Sequence, residues 1–468
     1  MTSTTLRPRR TVPGWLKTGL LAALVFALCW GGAIAWWQSA GSEPGAGDLA
    51  LMLLALPCGL LLVLRLGTKF VLPRPAVPAA ATRPAPGAST PAASAPLLAI
   101  LATALRSPHG ASAEELAAAI ADGKARGDLD PELVDDKGFP ITTARREDAA
   151  DEASQEEIHD WLAANNMADI RFSDAQWRAL TLGTAVVRDL AGHAASELLP
   201  MEGWPSTLRL IPILPATWTV EQRTSASAWF KHVIAQFGWP PASVMCVDIL
   251  AAMGSAPSSV LSQFAFQASS ASSHLTALII ACESNIDQET ADRWETDGVL
   301  FTPARLQGLI PGEGAAGLLL TDLGSIKSQP DAVYAQLDPF VEVRRDTSID
   351  ENKRTDMTPL AGLVEQACKQ AAIEISAVGM IVADTGERAN RTLELMGLAS
   401  SALPQLESSS DVACVGASSG TCGAVPYLTA LALAHHHALE RAAPALCMSN
   451  EDSHHRCATL VRPASLQS

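Results

Sequence analysis

The chain has 468 residues, more than one average domain, and 33 Lys and Arg against 49 Asp and Glu leave a formal net charge of −16. Eight basic and only two acidic residues fall in 1–95, so the remainder holds 25 basic against 47 acidic residues, a net of −22. A body that acidic repels phosphate backbones and excludes nucleic acid as a partner, and a composition 48% hydrophobic and 18% charged excludes a wholly disordered chain.

Residues 1–17 form a basic N-terminus. From Thr18 to Trp37 run twenty residues without a charge, enough at about 1.5 Å each to span a hydrocarbon core of about 30 Å. The Trp36–Trp37 pair suits an interfacial belt. A second apolar run, Leu49 to Leu64, extends through Gly67, Phe70, Val71 and Leu72 if Arg65 and Lys69 snorkel. The first run is too long for a signal peptide and lacks a small-residue cleavage site, so residues 18–72 are expected to be a two-helix transmembrane hairpin. Its basic flanks lie before the first span and after the second, which places the N-terminus and the C-terminal body in the cytoplasm of a bacterium, against the inner membrane. Nine cysteines without paired spacing agree with a reducing compartment. Residues 73–96 hold seven Pro and nine Ala, a linker that as polyproline II would reach about 70 Å.

Residues 97–468 alternate apolar runs with helical patterns. The runs at 97–105, 207–214, 244–250 and 275–281 lack polar alternation and read as strands covered on both faces. Helices are expected over 113–125, with a capping box from Ser112 and Glu115, and over 174–194 behind Ser173. The acidic stretch 147–160 reads as a solvated helix face or loop. Strands alternating with helices give an α/β body.

Several stretches of this body resemble, in order, landmarks of the β-ketoacyl synthase branch of the thiolase superfamily. LLAILATALRSPHGASAEELAAAIADGKA resembles the opening strand and first helix, LTALIIACESNID the strand ending at a "GGxD/E" turn, and GLIPGEGAAGLLL the "GxxxGEGAGxLVLE" signature. VGMIVADTGERANRTLELMGLA resembles the segment around the first family histidine, and GTCGAVPYLTALALA the helix start after the second. The resemblance implies a five-layer α-β-α-β-α body of two similar halves, and a homodimer.

The family's chemistry needs a thiolate at a buried helix N-terminus, where free N–H groups and the dipole lower its pKa. Counted back from Ala281-Cys282, that position falls on Ala256, with Ser255, Ser258 and Ser259 nearby. The two family histidines fall on Ala383, beside Asp384, and on Gly420, near Cys422. Where the family has a glycine-rich loop, residues 449–457 read SNEDSHHRC. Ser255, Ala256, Ala383, Asp384, Gly420 and Cys422 are thus expected to line a relict pocket without the family's catalytic groups, with Cys422 a small buried hydrophobe. Gly312, Glu313 and Gly314 read as architectural, and Asp384, Glu387 and Arg388 as a salt-bridge set. The consecutive His435, His436 and His437 point about 100° apart on a helix and read as solvated. The spacing of Cys447, His454, His455 and Cys457 matches no common zinc site. No cofactor and no metal is therefore expected.

An interaction module stands against two ligand-using readings, an enzyme and a sensor. The first is a catalytically inactive module that binds protein partners at the membrane, as an accessory of a membrane-associated machine such as one for protein secretion. The second is an acyltransferase or synthase with a displaced nucleophile, Ser255 or Cys246, or a sensor of acyl or CoA ligands in the relict pocket. The acidic body disfavours anionic CoA and phosphopantetheine and favours a basic protein partner.

Overall fold

The computed structural model describes Trp30 and residues 97–199, 207–247, 256–270, 275–326, 333–351 and 356–464. The chain divides into two compact units, Met1–Ala92 and Ala93–Ser468. The expected hairpin over 18–72 and linker over 73–96 lie outside the described residues, Trp30 excepted. Ser255 also lies outside them. No helix among the described residues is long and apolar enough to cross a membrane.

In chain order the second unit runs β1 (Leu98–Arg106), α1 (Ala113–Ala121), β2 (Asp128–Val134), β3 (Pro140–Thr143), α2 (Glu152–Ala164), α3 (Asp174–Glu197), β4 (Leu208–Ile213), α4 (Val220–Gln236), β5 (Val244–Cys246), α5 (Pro257–Ser270), β6 (Thr276–Ser284), α6 (Gln288–Thr296) and β7 (Glu313–Asp322). It continues with β8 (Ala335–Leu337), β9 (Val341–Arg344), α7 (Thr358–Ala371), β10 (Met380–Ala383), α8 (Ala389–Ala402), β11 (Val412–Cys414), α9 (Val425–Arg441), β12 (Ala445–Ser449) and β13 (His455–Pro463).

The helix starts follow from their capping residues. Ser173 accepts from the Gln176 N–H while the Gln176 side chain accepts from the Ser173 N–H, a complete capping box at α3. At α1 only half of the expected box forms: Ser112 accepts from the Glu115 N–H, but the Glu115 carboxylate turns to the Ala111 N–H at 2.7 Å. The helix ends at Ala121, four residues short of the expected end, before Gly123 at φ +68°.

The large sheet runs β11-β10-β12-β13-β8-β1-β7-β6-β4-β5, with β9 added beside β13. This order contains the same half twice. In the first half the strands β1, β4, β5, β6 and β7 lie in the order third, second, fourth, fifth, first, and the fifth strand, β7, runs antiparallel to β6. In the second half β8, β10, β11, β12 and β13 repeat that order, with β13 antiparallel to β12. The two first strands pair with each other, Leu98 opposite Leu337 and Ile100 opposite Ala335, and join the halves.

Each half is apolar on both faces, as expected of strands covered by helices. Along β6, Ala277, Ile279 and Ala281 face a central core shared with α5 and α9, while Leu278, Ile280 and Cys282 face an outer core with α3 and α4. Along β12, Ala445 and Cys447 face the same central core, and Leu446 and Met448 an outer core with α7 and α8. The layers therefore alternate helix, sheet, helix, sheet, helix. Of the expected strands, 244–250 departs most. The described strand is Val244–Cys246 at the sheet edge, where only Val244 is buried and Met245 is 54% exposed.

Glu313, at the first position of β7, has no exposed surface. Arg178 of α3 grips it with two nitrogens, Nε at 2.8 Å from Oε2, and the Arg146 N–H and the Ser284 hydroxyl donate at 2.7 and 2.9 Å. Its architectural reading from sequence matches this geometry. Removing one member of a buried ion pair leaves the other charge uncompensated, at a cost of about 3–5 kcal/mol. Glu313→Gln is expected to lower the unfolding free energy by about that much in urea titration. A loss under about 1 kcal/mol would show that Arg178 finds another partner or water.

Candidate functional site

A cavity of about 700 Å³ opens where the two halves meet. Its walls are the start of α5 (Ala256, Pro257, Ser259), the 308–310 segment, β9, the loop after β10, the Gly420–Ala424 turn that leads into α9, and the 449–455 loop. The central helices α5 and α9 both begin at this cavity, each with a proline in its first turn, Pro257 and Pro426. Each proline removes one of the N–H groups that a helix start otherwise leaves free.

Ala256 stands just ahead of α5 and lines the cavity, so this helix start presents a methyl group. Gly420 also lines it, at φ +63°, with its Cα side pressed on Gly312. A Cβ at Gly420 would lie 2.9 Å from the Gly312 Cα and 3.0 Å from the Ile310 carbonyl oxygen. No side chain, an imidazole included, fits there without moving backbone. Ala383 and Asp384, adjacent in sequence, face opposite ways. Ala383 is fully buried in the outer core with α7 and α8, and Asp384 is the residue that reaches the cavity.

Asp384 is locked in place by the 449–451 segment. Its carboxylate accepts from the Asn450 and Glu451 N–H groups at 2.9 and 3.2 Å and from the Ser449 hydroxyl. Glu451 answers in the other direction. Its carboxylate accepts from the Gly386 N–H and from Arg388 Nε, both at 2.8 Å. Thr385 Oγ1 donates to Asn450 Oδ1 at 2.6 Å. The two loops are thus clamped by a pair of carboxylates, each capping the other's backbone. The expected salt-bridge set of Asp384, Glu387 and Arg388 is corrected accordingly: Arg388 pairs with Glu451, and Asp384 binds backbone and hydroxyl donors.

His455 and Cys422 also line the cavity. His455 Nε2 stands 3.6 Å from Glu342 Oε2, which holds the Glu342 carboxyl below its usual range. The Cys422 thiol is fully buried and donates to the Ser419 carbonyl at 3.5 Å. Burial, then the charges of Glu283 and Glu313, push its pKa well up, the reverse of an activated thiolate. Cys246 lies on the edge strand β5, away from the cavity walls. Cys447 and Cys457 are buried in the central core. Two of the three α9 histidines differ from expectation: His435 and His437 are buried where α9 packs as the central helix, while His436 stays partly exposed.

Sequence reasoning missed Glu283 and Glu451. Glu283 lies near the end of β6, its carboxyl against Gly423, where burial raises its pKa to about 7. The signal was available: an acid directly after the apolar run ALIIAC has little chance of reaching water. Glu451 carried no such signal, because its partners are 63 and 65 residues distant.

No protein-family model and no curated protein matches the chain. Solved structures do. A ketosynthase from module 6 of the bacillaene synthase of Bacillus subtilis 168 superposes with a TM-score of 0.55 at 11% identity, covering 80% of this chain and 73% of that one. A ketosynthase bound to a hexaketide, in complex with its type II polyketide synthase acyl-carrier protein, gives 0.52 at 14% identity, over 78% and 99%. The oxazolomycin ketosynthase domain of Streptomyces albus JA3453 gives 0.51 at 13%, over 80% and 75%. These likenesses show that the body has the mixed α/β thiolase-like fold of ketosynthases.

Burial, reinforced by the Glu451 charge, raises the Asp384 pKa to about 6, against the hydrogen bonds from Ser449 and the 450–451 backbone. An acid whose folded pKa lies above its unfolded value binds more protons when folded, so its contribution falls as pH rises from about 4 to 6. At about 1.4 kcal/mol per pKa unit the total is of the order of 3 kcal/mol. Relative to Asp384→Asn, the natural chain is expected to lose this stability between pH 4 and 7 in parallel urea titrations. Parallel curves would show that the Asp384 pKa is the same in the folded and unfolded chain.

Proposed function

We propose that the chain is a non-catalytic ketosynthase-fold domain, tethered to the bacterial inner membrane by its N-terminal hairpin, that docks a protein partner. It would serve as an accessory of a membrane-associated machine, protein secretion being one such setting. The observation that carries this reading is the Asp384–Glu451 clamp. It occupies the loops that correspond to the family's first histidine and glycine-rich turn, while the helix start expected to bear the thiol offers Ala256.

The charge of the cavity points the same way. Five acids (Glu342, Asp384, Glu387, Glu451, Asp452) line it against two arginines, Arg344 and Arg388. That rim repels phosphorylated ligands such as CoA and suits a basic protein surface. One structural neighbour holds an acyl-carrier protein, so this fold supports partner docking elsewhere. A homodimer through the body is part of the reading.

The competing reading is an acyl-transferring enzyme, or an acyl sensor, using the same cavity. Intact mass of the full chain in detergent, after incubation with several acyl-CoAs and acyl-carrier proteins, separates them. No adduct and no CoA release are expected. A stable acyl adduct on Ser255, Cys246 or Cys422 would make the chain an enzyme and overturn the proposal.

A further inference from the structure

Three histidines in a row at the end of α9 cannot share one face, since successive helical residues turn about 100°. The structure parts them and supplies a different third member. His435 turns into the protein beside the backbone of β1. His436 and His437 both reach forward one turn to Glu440. His436 Nε2 stands 3.6 Å from Glu440 Oε2, and His437 Nδ1 stands 3.5 Å from the same oxygen. The two rings lie 5.3 Å apart, centre to centre, and all three ligand atoms fall within 4.8 Å of one another.

These separations are too long for good hydrogen bonds. They match another geometry. Two bonds of about 2.1 Å from a tetrahedral metal hold their donor atoms about 3.4 Å apart. The His437 side chain is only 9% exposed, and its Nδ1 is buried without a hydrogen-bond partner in the structure. A buried imidazole nitrogen left unpaired is costly, and here it points at the place where His436 and Glu440 converge. We propose that His436 Nε2, His437 Nδ1 and Glu440 Oε2 form a binding site for a divalent transition metal, with zinc favoured by the two-imidazole, one-carboxylate donor set.

Three protein ligands leave a fourth position open. His436 and Glu440 border a surface cleft of about 700 Å³ walled also by Asp189 and His193. A water, or a carboxylate or imidazole from a partner, could complete the coordination from there.

The full chain in detergent, stripped with a chelator and dialysed, tests this by titration with zinc and, separately, cobalt(II), followed by calorimetry and absorption. One metal per chain is expected, with a cobalt spectrum free of sulfur charge-transfer bands. His436→Ala, at a partly exposed side chain, and Glu440→Gln, at an exposed one, leave the core intact and should each weaken binding at least tenfold, while the exposed His159→Ala leaves it unchanged. Equal affinity in all four proteins, the absence of binding in the natural chain, or a thiolate band pointing to cysteine ligands would each overturn the site.

Discussion

A full carboxylate with no exposed surface, Glu313, fixes the geometry on which the rest of the body depends. It ties α3 through Arg178, the 144–146 segment through the Arg146 N–H, and the end of β6 through Ser284. A charge in that position is tolerable only because every oxygen is answered by a donor. The residue before it extends the constraint. A Cβ at Gly312 would meet the Ser419 carbonyl oxygen at 2.0 Å and the Gly420 Cα at 2.7 Å. Glycine at both 312 and 420 lets two backbones touch, one from each half. Gly420 lines the cavity beside this contact, so the position of that wall follows from one ion pair and one close approach.

The repeated topology explains why both central helices end there. In each half the third strand leads into a buried helix that returns to the fourth strand, β5–α5–β6 and β11–α9–β12. With the halves joined through their first strands, the two helix starts converge on one cavity. Helix starts are natural sites for anions, through free N–H groups and the dipole. Pro257 and Pro426 each remove one such donor, and the acids of the rim work against the dipole. The architecture that can gather negative charge is kept, and the side chains around it oppose that use.

How much of this was legible in the sequence depended on the range of the interactions. The strands at 97–105, 207–214 and 275–281 and the Ser173-capped helix are written in local apolar pattern and capping residues and appear where expected, whereas the 244–250 run yields only Val244–Cys246. The duplication of the fold was expected only through the family resemblance, because it lies in strand order and not in residue identity: Ile279 and Cys447 share a core with no likeness between their segments. The Asp384–Glu451 clamp joins segments 65 residues apart, and nothing local in SNEDSHHRC announces which loop it will grip. The α9 histidines were misread for a related reason. Their exposure is set by packing between the two half-sheets, not by the position of the run near a helix end.

The clamp also bears on the charge of the 449–455 loop, where the family resemblance leads to the expectation of glycines. A glycine loop gains conformational freedom and lets substrate approach the backbone closely. Here the same loop carries Glu451, whose carboxylate spends its acceptors on Gly386 and Arg388, and it receives in return the carboxylate of Asp384. Each loop immobilises the other, and Arg391 beneath them donates Nε to the Glu451 carbonyl. A site built for turnover must exchange such contacts for contacts with a substrate. A site built to hold a fixed shape has no need to. A pair of reciprocal carboxylate caps, Asp384 buried and Glu451 half-buried, is better suited to a rigid docking surface than to a loop that opens and closes around an acyl chain, and that physical distinction, more than the identity of any one missing residue, supports the interaction reading.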